Sequence, residues 1–340
     1  MRPTTKDLAK AAGVSLATID RVLNGRAGVK SKTVERVNRA IAEIGFVRNI
    51  SAANLARQKN YRFAFVVPQA GDQFLDEILS CLEEANQAFA SDMIAVNVQR
   101  VDETDPHIIV QHLRELTADE IDGVAIMAPA TPELRDAILR AEERGIHPIA
   151  FVSDQSGDVA SAFVGIDNFS AGRTAGKLMG RFAGPNNGSI MVIGETMQSR
   201  DSLERRFGFD SVINNEFPNL NVLPSLETYG DLDRTRQVVK NAIESNVGLV
   251  GIYVLSPEAR LPLEAVSESL RSHDLIKIVH ERTPFTVASL QANEIDAVIA
   301  QSPGHLVRSA IRILRAKCDN RETLASQEKI RIEILLKENL

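Results

Sequence analysis

Apolar residues from Arg62 onward come in short runs that alternate with segments of helical spacing. The first runs predict strands at residues 63–67, 93–98, 124–127 and 149–152, with helices over 74–89, 106–117 and 132–144. A second set predicts strands near 162–166, 189–193, 221–226, 249–254, 276–279 and 296–300, again with helices between them. This alternation is typical of parallel sheets covered by helices on both faces. We therefore expect two doubly wound α/β lobes, with a ligand cleft between them at the carboxyl ends of the strands.

The first 45 residues follow a different pattern, that of three short helices. Thr4 with Asp7 resembles a capping box, and Gly13 ends the first helix. Ser15 is the predicted N-cap of a second helix over Leu16–Leu23. A third begins after Ser31 and ends at Gly45, and its apolar positions Val34, Val37, Ile41 and Ile44 keep helical spacing. Two short helices joined by a tight turn, and then a third, form the helix-turn-helix plan.

Charge is divided unevenly along the 340 residues. Residues 1–62 carry 13 basic and 4 acidic side chains, a net charge of +9, whereas the other 278 carry 26 and 41, a net charge of −15. A basic head on an acidic body favours a polyanionic partner at one end only. Two cysteines, Cys81 and Cys318, predict free thiols in a reducing compartment. Neither a transmembrane run nor a signal-peptide-like start is present, so we expect a cytoplasmic protein.

The helical head resembles the DNA-binding headpiece of the LacI (lactose repressor) family. The strings KDLAKAAGVSLATIDRVLN at 6–24, VKSKTVERV at 29–37 and IGFVRN at 44–49 carry the resemblance. It implies a homodimer on a near-palindromic operator in double-stranded DNA, with each second helix in a major groove. Repression is the commoner outcome in that family. The implied domains are a headpiece over 1–48, a hinge helix over 49–60 and an effector-binding and dimerisation domain over 61–340. Its N-lobe is expected at about 61–161 and 302–325 and its C-lobe at about 162–301.

The resemblance also assigns contacts to DNA. Leu16, Ala17 and Arg21 would face base edges, since an Arg can take guanine O6 and N7 together and apolar side chains pack on thymine methyl groups. The residues that would contact phosphates are Thr18, Asn24, Lys30, Ser31 and Thr33. Asp20 stands where the family usually has Ser, which leaves the operator sequence open.

In the hinge, the resemblance assigns DNA contacts to Asn49 and Ser51, and a wedge role to Leu55. Apolar wedges of this kind enter the minor groove and kink the duplex. The alternative is a plain linker between domains. The tail at 328–334 alternates like a strand and shows no heptads, so a dimer is expected rather than a coiled-coil tetramer.

The body resembles the periplasmic sugar-binding-protein fold that the family uses as its sensor. The motifs are VVP at 66–68, IDGV at 121–124, VGIDN at 164–168, RFGF at 206–209 and DAVIAQ at 296–301. The pocket residues implied by position are Asp72, Phe74, Asp154, Arg200, Ser256, Glu281 and Gln301. Several depart from the family: Glu281 replaces the usual Asp, Ser256 replaces Asn, and Arg200 lies about three positions early. Carboxylates with an aromatic platform favour a neutral polyhydroxylated effector, a sugar or polyol.

Two other classes of function fit the sequence less well. For an enzyme, AGRTAGKL at 171–178 lacks the first Gly and the final Ser/Thr of a phosphate loop. His107 and His112 are five residues apart, which is wrong for two metal ligands on one helix turn, and no GxSxG nucleophile elbow is present. We therefore expect no metal or other cofactor. A free-standing periplasmic receptor is disfavoured because the chain carries a DNA headpiece and no export signal.

Overall fold

The computed structural model describes residues 3–23, 27–46, 60–102, 105–155, 162–269 and 274–340. The chain forms two compact units, Met1–Lys59 and Asn60–Leu340. The described residues contain no helix of the length and apolarity that crossing a membrane requires.

The first unit contains α1 (Thr5–Ala12), α2 (Leu16–Leu23) and α3 (Ser31–Ile44). The predicted capping box is confirmed, because the backbone N–H of Asp7 donates to Thr4 Oγ1 and the backbone N–H of Thr4 donates to the Asp7 carboxylate. Gly13 and Gly45 end their helices in the left-handed conformation, with φ of 60° and 61°. The helices bury one small apolar core: Leu8, Ala9, Ala12, Ile19, Val37, Ala40 and Phe46.

The second unit begins with a five-stranded parallel sheet in the order β2-β1-β3-β4-β5. Its strands are β1 (Tyr61–Pro68), β2 (Ile94–Val101), β3 (Gly123–Ile126), β4 (His147–Phe151) and β5 (Phe163–Val164). Its helices are α4 (Gln73–Phe89), α5 (Pro106–Glu115) and α6 (Pro132–Glu143). The N-lobe is this sheet with its helices. We expected the run at 162–166 to open the second sheet, and this was wrong: Ala150 and Phe151 of β4 pair with Phe163 and Val164.

The C-lobe is built on a second sheet in the order β12-β11-β10-β9-β6-β7, with β8 beside β6. Its strands are β6 (Gly188–Gly194), β7 (Leu220–Val222), β8 (Leu226–Glu227), β9 (Leu249–Val254), β10 (Ile276–His280), β11 (Ala297–Ala300) and β12 (Glu333–Leu335). Its helices are α7 (Asn168–Ala183), α8 (Arg200–Glu216), α9 (Leu232–Ser245), α10 (Arg260–Ser267) and α11 (Pro284–Gln291). The strand predicted at 221–226 is thus two short strands. This sheet is not wholly parallel, because β12 pairs antiparallel with β11.

The chain passes between the two lobes three times. It leaves the N-lobe after β5, and it returns after β11 to α12 (Pro303–Cys318), which packs on β3 and β4. It leaves again through α13 (Ala325–Glu328) to reach β12. Both lobes turn the carboxyl ends of their parallel strands toward the cleft between them, and side chains that follow those strands meet there.

Candidate functional site

The second helix of the headpiece has one buried side, formed by Ile19, and one exposed side. Leu16, Ala17 and Arg21 lie on the exposed side, and Leu16 is 48% exposed although it is a large apolar residue. Ala17 and Arg21 are four residues apart and so lie on one face of the helix, and Leu16 lies beside that face. The structure thus places the three predicted base-reading side chains together on a face that the headpiece core does not use.

The predicted phosphate-binding residues of the described headpiece gather at two helix starts. Ser15 accepts a hydrogen bond from the backbone N–H of Thr18, at 3.2 Å, which confirms its capping role. Lys30 is the N-cap residue of α3, and Ser31 and Thr33 lie in its first turn. A helix N-terminus carries free N–H groups and a positive dipole end, which favour a phosphate. Asn24, Asn49, Ser51 and Leu55 lie outside the described residues.

Arg205 is the centre of the cleft's buried polar network. Its Nε donates to Asn168 Oδ1 (2.8 Å) and its Nη1 to the Leu255 carbonyl (2.7 Å). Its Nη2 lies 3.3 Å from Glu281 Oε1. The guanidinium thereby joins the start of α7 to the ends of β9 and β10, and all three groups are acceptors that suit its fixed fork.

Glu281 is fully buried and follows β10 with a φ of 63°. A left-handed backbone is uncommon outside glycine, and such positions cluster at functional sites. Gln301, at the end of β11, donates from Nε2 to Glu281 Oε1 at 3.0 Å. Burial raises the pKa of Glu281 to about 7, although the Arg205 charge and the Gln301 hydrogen bond oppose that shift. The structure therefore brings together Glu281 and Gln301, two of the residues that we predicted to bind the effector.

Contacts cross the cleft where β4 ends. Ser153 Oγ donates to Asp201 Oδ2 (3.0 Å), and the Arg200 guanidinium lies 3.4 Å from Asp154 Oδ2. Val152, just before them, has a φ of 63°, which is strained for a β-branched residue. A cavity of about 90 Å³ at this point is lined by strand ends of the N-lobe and by the first turn of α8. Asp154 and Arg200, both predicted effector residues, thus form one cross-lobe pair.

Three other predicted effector residues occupy different environments. Asp72 caps α4 by accepting from the backbone N–H of Leu75 at 3.0 Å. Ser256 is buried after β9, with its hydroxyl 3.4 Å from the Glu258 carbonyl oxygen. Phe74 is only 1% exposed and belongs to the N-lobe core, so the expectation of an open stacking platform there was wrong. Its helical position turns the ring toward the apolar side of α4, where burial is favourable.

A larger cavity of about 880 Å³ adjoins the cleft. It lies between the segment after β5, the start of α8 and residues 328–332 of the tail, and it shares Asp154, Asn168 and Arg200 with the cleft region. Two of the chain segments that connect the lobes line this cavity. We therefore regard this cavity as an opening beside the connecting segments and not as the binding cleft itself, because the buried polar network lies at the strand ends.

Sequence reasoning missed Arg205 and Asn168. The Arg205 signal was present, because the buried positions of α8 recur every three or four residues and include Arg205, Gly208 and Phe209. A charged residue on the buried face of a helix needs a partner. Asn168 gave no comparable signal, since it is one polar residue among several beside a strand end.

The structure thus defines a class of protein, one with a helix-turn-helix headpiece and, after it in the sequence, a two-lobed domain with a polar cleft. The family model described as "Periplasmic binding protein domain" matches residues 63–322. The model described as "Bacterial regulatory proteins, lacI family" matches residues 4–49. The chain therefore carries a lacI-family helix-turn-helix domain at residues 4–49, and its larger unit belongs to the periplasmic binding protein domain family.

Curated relatives with regulator names match part of this chain, and solved structures share the fold of its larger unit. The HTH-type transcriptional regulator DegA of Bacillus subtilis is 27% identical over 206 residues, 60% of this chain and 59% of that protein. The Maltose regulon regulatory protein MalI of Escherichia coli is 34% identical over 153 residues, 45% and 43% of the two chains. The alignments thus span about half the length of these relatives. A Burkholderia graminis solute-binding protein in complex with D-arabinose shares the fold, with a TM-score of 0.72, 21% identity and coverage of 83% and 96%.

Proposed function

We propose that this protein is a sequence-specific DNA-binding transcriptional regulator, a repressor whose operator affinity is set by a small molecule. The observation that carries the proposal is the exposed face of α2, where Leu16, Ala17 and Arg21 stand together while Ile19 alone is buried. An exposed leucine and a neighbouring arginine suit the floor of a major groove, which offers methyl groups and guanine acceptors. The protein would act in the cytoplasm as a homodimer, with one headpiece on each half-site.

The two-lobed cleft supports the sensing half of the proposal. Polar side chains from both lobes meet across it, as Ser153 does with Asp201 and Asp154 does with Arg200. Gln73 of the N-lobe also accepts from the backbone N–H of Phe285 in the C-lobe, at 3.1 Å. A ligand held by both lobes would favour the closed arrangement, and it could change DNA affinity only by its preference for that arrangement. We propose a sugar or polyol as the effector, and binding rather than catalysis as the role of the cleft.

Selection of operator DNA from a random duplex library by the full-length protein tests the DNA-binding proposal. We expect a near-palindromic consensus, because a homodimer presents two equal headpieces. Arg21→Ala should lose the consensus but keep weak binding to all duplexes. Arg39→Ala is the matched control, because it removes an exposed positive charge from the middle of α3. This variant should keep the consensus. Failure of the parent protein to enrich any sequence would overturn the proposal.

A thermal-shift screen of sugars and polyols, repeated with the selected operator present, tests the sensing proposal. A true effector should raise the melting temperature of the protein and change operator affinity, because both effects follow from one closure equilibrium. A compound that stabilises the protein and leaves operator affinity unchanged would argue against coupling between the cleft and DNA.

A further inference from the structure

Three buried side-chain oxygens near the cleft have no hydrogen-bond partner within the described part of the chain: Gln155 Oε1, Glu281 Oε2 and Gln301 Oε1. The nitrogen of each amide is already used, by the Ala128 carbonyl at 2.6 Å and by Glu281 Oε1 at 3.0 Å. The Ala128 carbonyl and Glu281 Oε1 are acceptors, and only the NH₂ group of a Gln can donate to them. The oxygen is therefore the atom of each amide that has no partner. An unpaired buried acceptor is unfavourable because it has lost its hydrogen bonds to water, and a donor from a ligand would restore one.

Carboxylates also follow other strands at these strand ends, and Asp72 lies near enough to Glu281 to raise the pKa of that carboxyl. Asp72 follows β1, Glu195 follows β6 and Glu258 follows β9, and Glu258 lies near enough to both of the other carboxylates to act on their pKa values. Burial and the Glu258 charge raise the pKa of Asp72, and burial with both neighbouring carboxylates raises the pKa of Glu195. Among the described residues, neither Asp72 nor Glu195 forms an ion pair.

The positive groups of the cleft are already committed to protein partners. Arg205 is occupied by Asn168, the Leu255 carbonyl and Glu281, and Arg200 by Glu204 and Asp154. The charges open to a ligand are therefore negative, and a phosphate or carboxylate would meet like charge. In the described part of the chain, no three carboxylate, histidine or cysteine side chains converge closely enough to hold a metal ion.

We propose that the effector is a polyhydroxylated compound that carries a protonated amino group, with the ammonium between Asp72 and Glu195 and other donors on Glu281, Gln301 and Gln155. The inference rests on the proposed function, because it assigns the chemistry of the same cleft. An ammonium supplies three donors and a charge, so it satisfies carboxylates that no protein group neutralises. Hydroxyl groups supply the remaining donors to the buried amide oxygens.

Matched sets of small molecules test the proposal: D-glucose, D-galactose and D-mannose, each with its 2-amino, 2-acetamido and uronic acid forms, together with scyllo-inositol and scyllo-inosamine. Binding to the full-length protein is measured by calorimetry at pH 7. We expect at least one amino compound to bind tenfold or more tightly than its neutral parent, and the acetamido and acid forms to bind more weakly than the amine. Equal binding of neutral and amino members, tighter binding of an acid, or no binding of any amine would overturn it.

Two charge-removing variants locate the ammonium. Asp72→Asn keeps a good N-cap for α4, and Glu195→Gln changes a side chain that no described hydrogen bond uses, so both should fold. Each should weaken the amine about tenfold and the neutral parent less than twofold, because a charge-assisted hydrogen bond is lost. Glu83→Gln, on the exposed side of α4, is the matched control and should change neither. Equal losses for amine and neutral parent would overturn the placement.

The outcomes also separate this inference from the proposed function. If a neutral polyol binds in the cleft more tightly than its amino form and changes operator affinity, the amino-group proposal is wrong and the proposed regulatory function stands. Absence of any operator consensus would instead overturn the proposed regulatory function, whatever the cleft binds.

Discussion

The guanidinium of Arg205 lies 3.3 Å from the carboxylate of Glu281, and both side chains are almost completely buried. A buried ion pair gives little net stability by itself, because two charges have lost their hydration. Here two further N–H groups of Arg205 donate to Asn168 and to the Leu255 carbonyl, which offsets part of that cost. The pair therefore fixes the relative positions of α7, α8, β9 and β10 at the cleft.

Removing Arg205 should destabilise the protein strongly. Arg205→Ala leaves a buried carboxylate without its counter-charge, and we expect a loss of about 3–5 kcal/mol in the free energy of unfolding by urea. Arg206→Ala is the matched control, because its guanidinium is less buried and pairs with Asp210 of the same helix. A loss below about 1 kcal/mol for Arg205→Ala would show that the pair carries no structural weight.

The melting temperature should depend on pH through Glu281. An ordinary Glu ionises near 4.5, whereas burial raises the pKa of Glu281 in the folded protein to about 7. Between those pH values the folded state keeps a proton that the unfolded state has lost, so its contribution to stability falls as pH rises. Glu281→Gln replaces this carboxyl group with an amide that does not titrate. The melting temperature of the variant should therefore fall less than the parent's from pH 5 to pH 8. Parallel curves for the two proteins would exclude the effect.

Helices α7 and α8 pack with their backbones in close approach at Gly172. A Cβ built there would lie 1.9 Å from the Arg205 carbonyl oxygen, and backbone cannot move aside as a flexible side chain can. Gly172→Ala should therefore force the helices apart and cost about 3 kcal/mol of unfolding free energy, the upper end for overpacking. Gly248→Ala meets no atom within 4 Å and serves as the control, with an expected change within about 0.5 kcal/mol.

In the headpiece, Arg21 and Lys30 should differ in what they contribute to DNA binding. Arg21→Ala should cost about 1–3 kcal/mol on the selected operator and much less on random duplex, because a base contact is lost. Lys30→Ala should weaken both kinds of DNA alike and reduce the salt slope of binding by about one unit. Titrations at several salt concentrations separate the two. Equal losses on operator and random DNA for Arg21→Ala would remove Arg21 from base recognition.

Much of the local structure could be read from the sequence. The capping box of Thr4 and Asp7, the glycine at position 13 and the period of Val34, Val37 and Ile41 each act within one or two helical turns, so neighbouring residues determine them. The alternating runs of the body likewise fix strand and helix, because each element must bury its own apolar face. The resemblance then added the predicted roles of the exposed headpiece residues, which DNA-binding measurements test.

The cleft itself was decided by the tertiary structure. Arg205 lies 37 residues from Asn168 and 76 from Glu281, and no local pattern records that those three side chains meet. Phe74 was expected to line the pocket, but the packing of α4 on its sheet buries the ring in the core. Phe163 and Val164 joined the first sheet because β4 offered an open edge, which periodicity does not show. Sequence specifies which faces must be buried, whereas contacts between distant segments depend on how the completed elements pack.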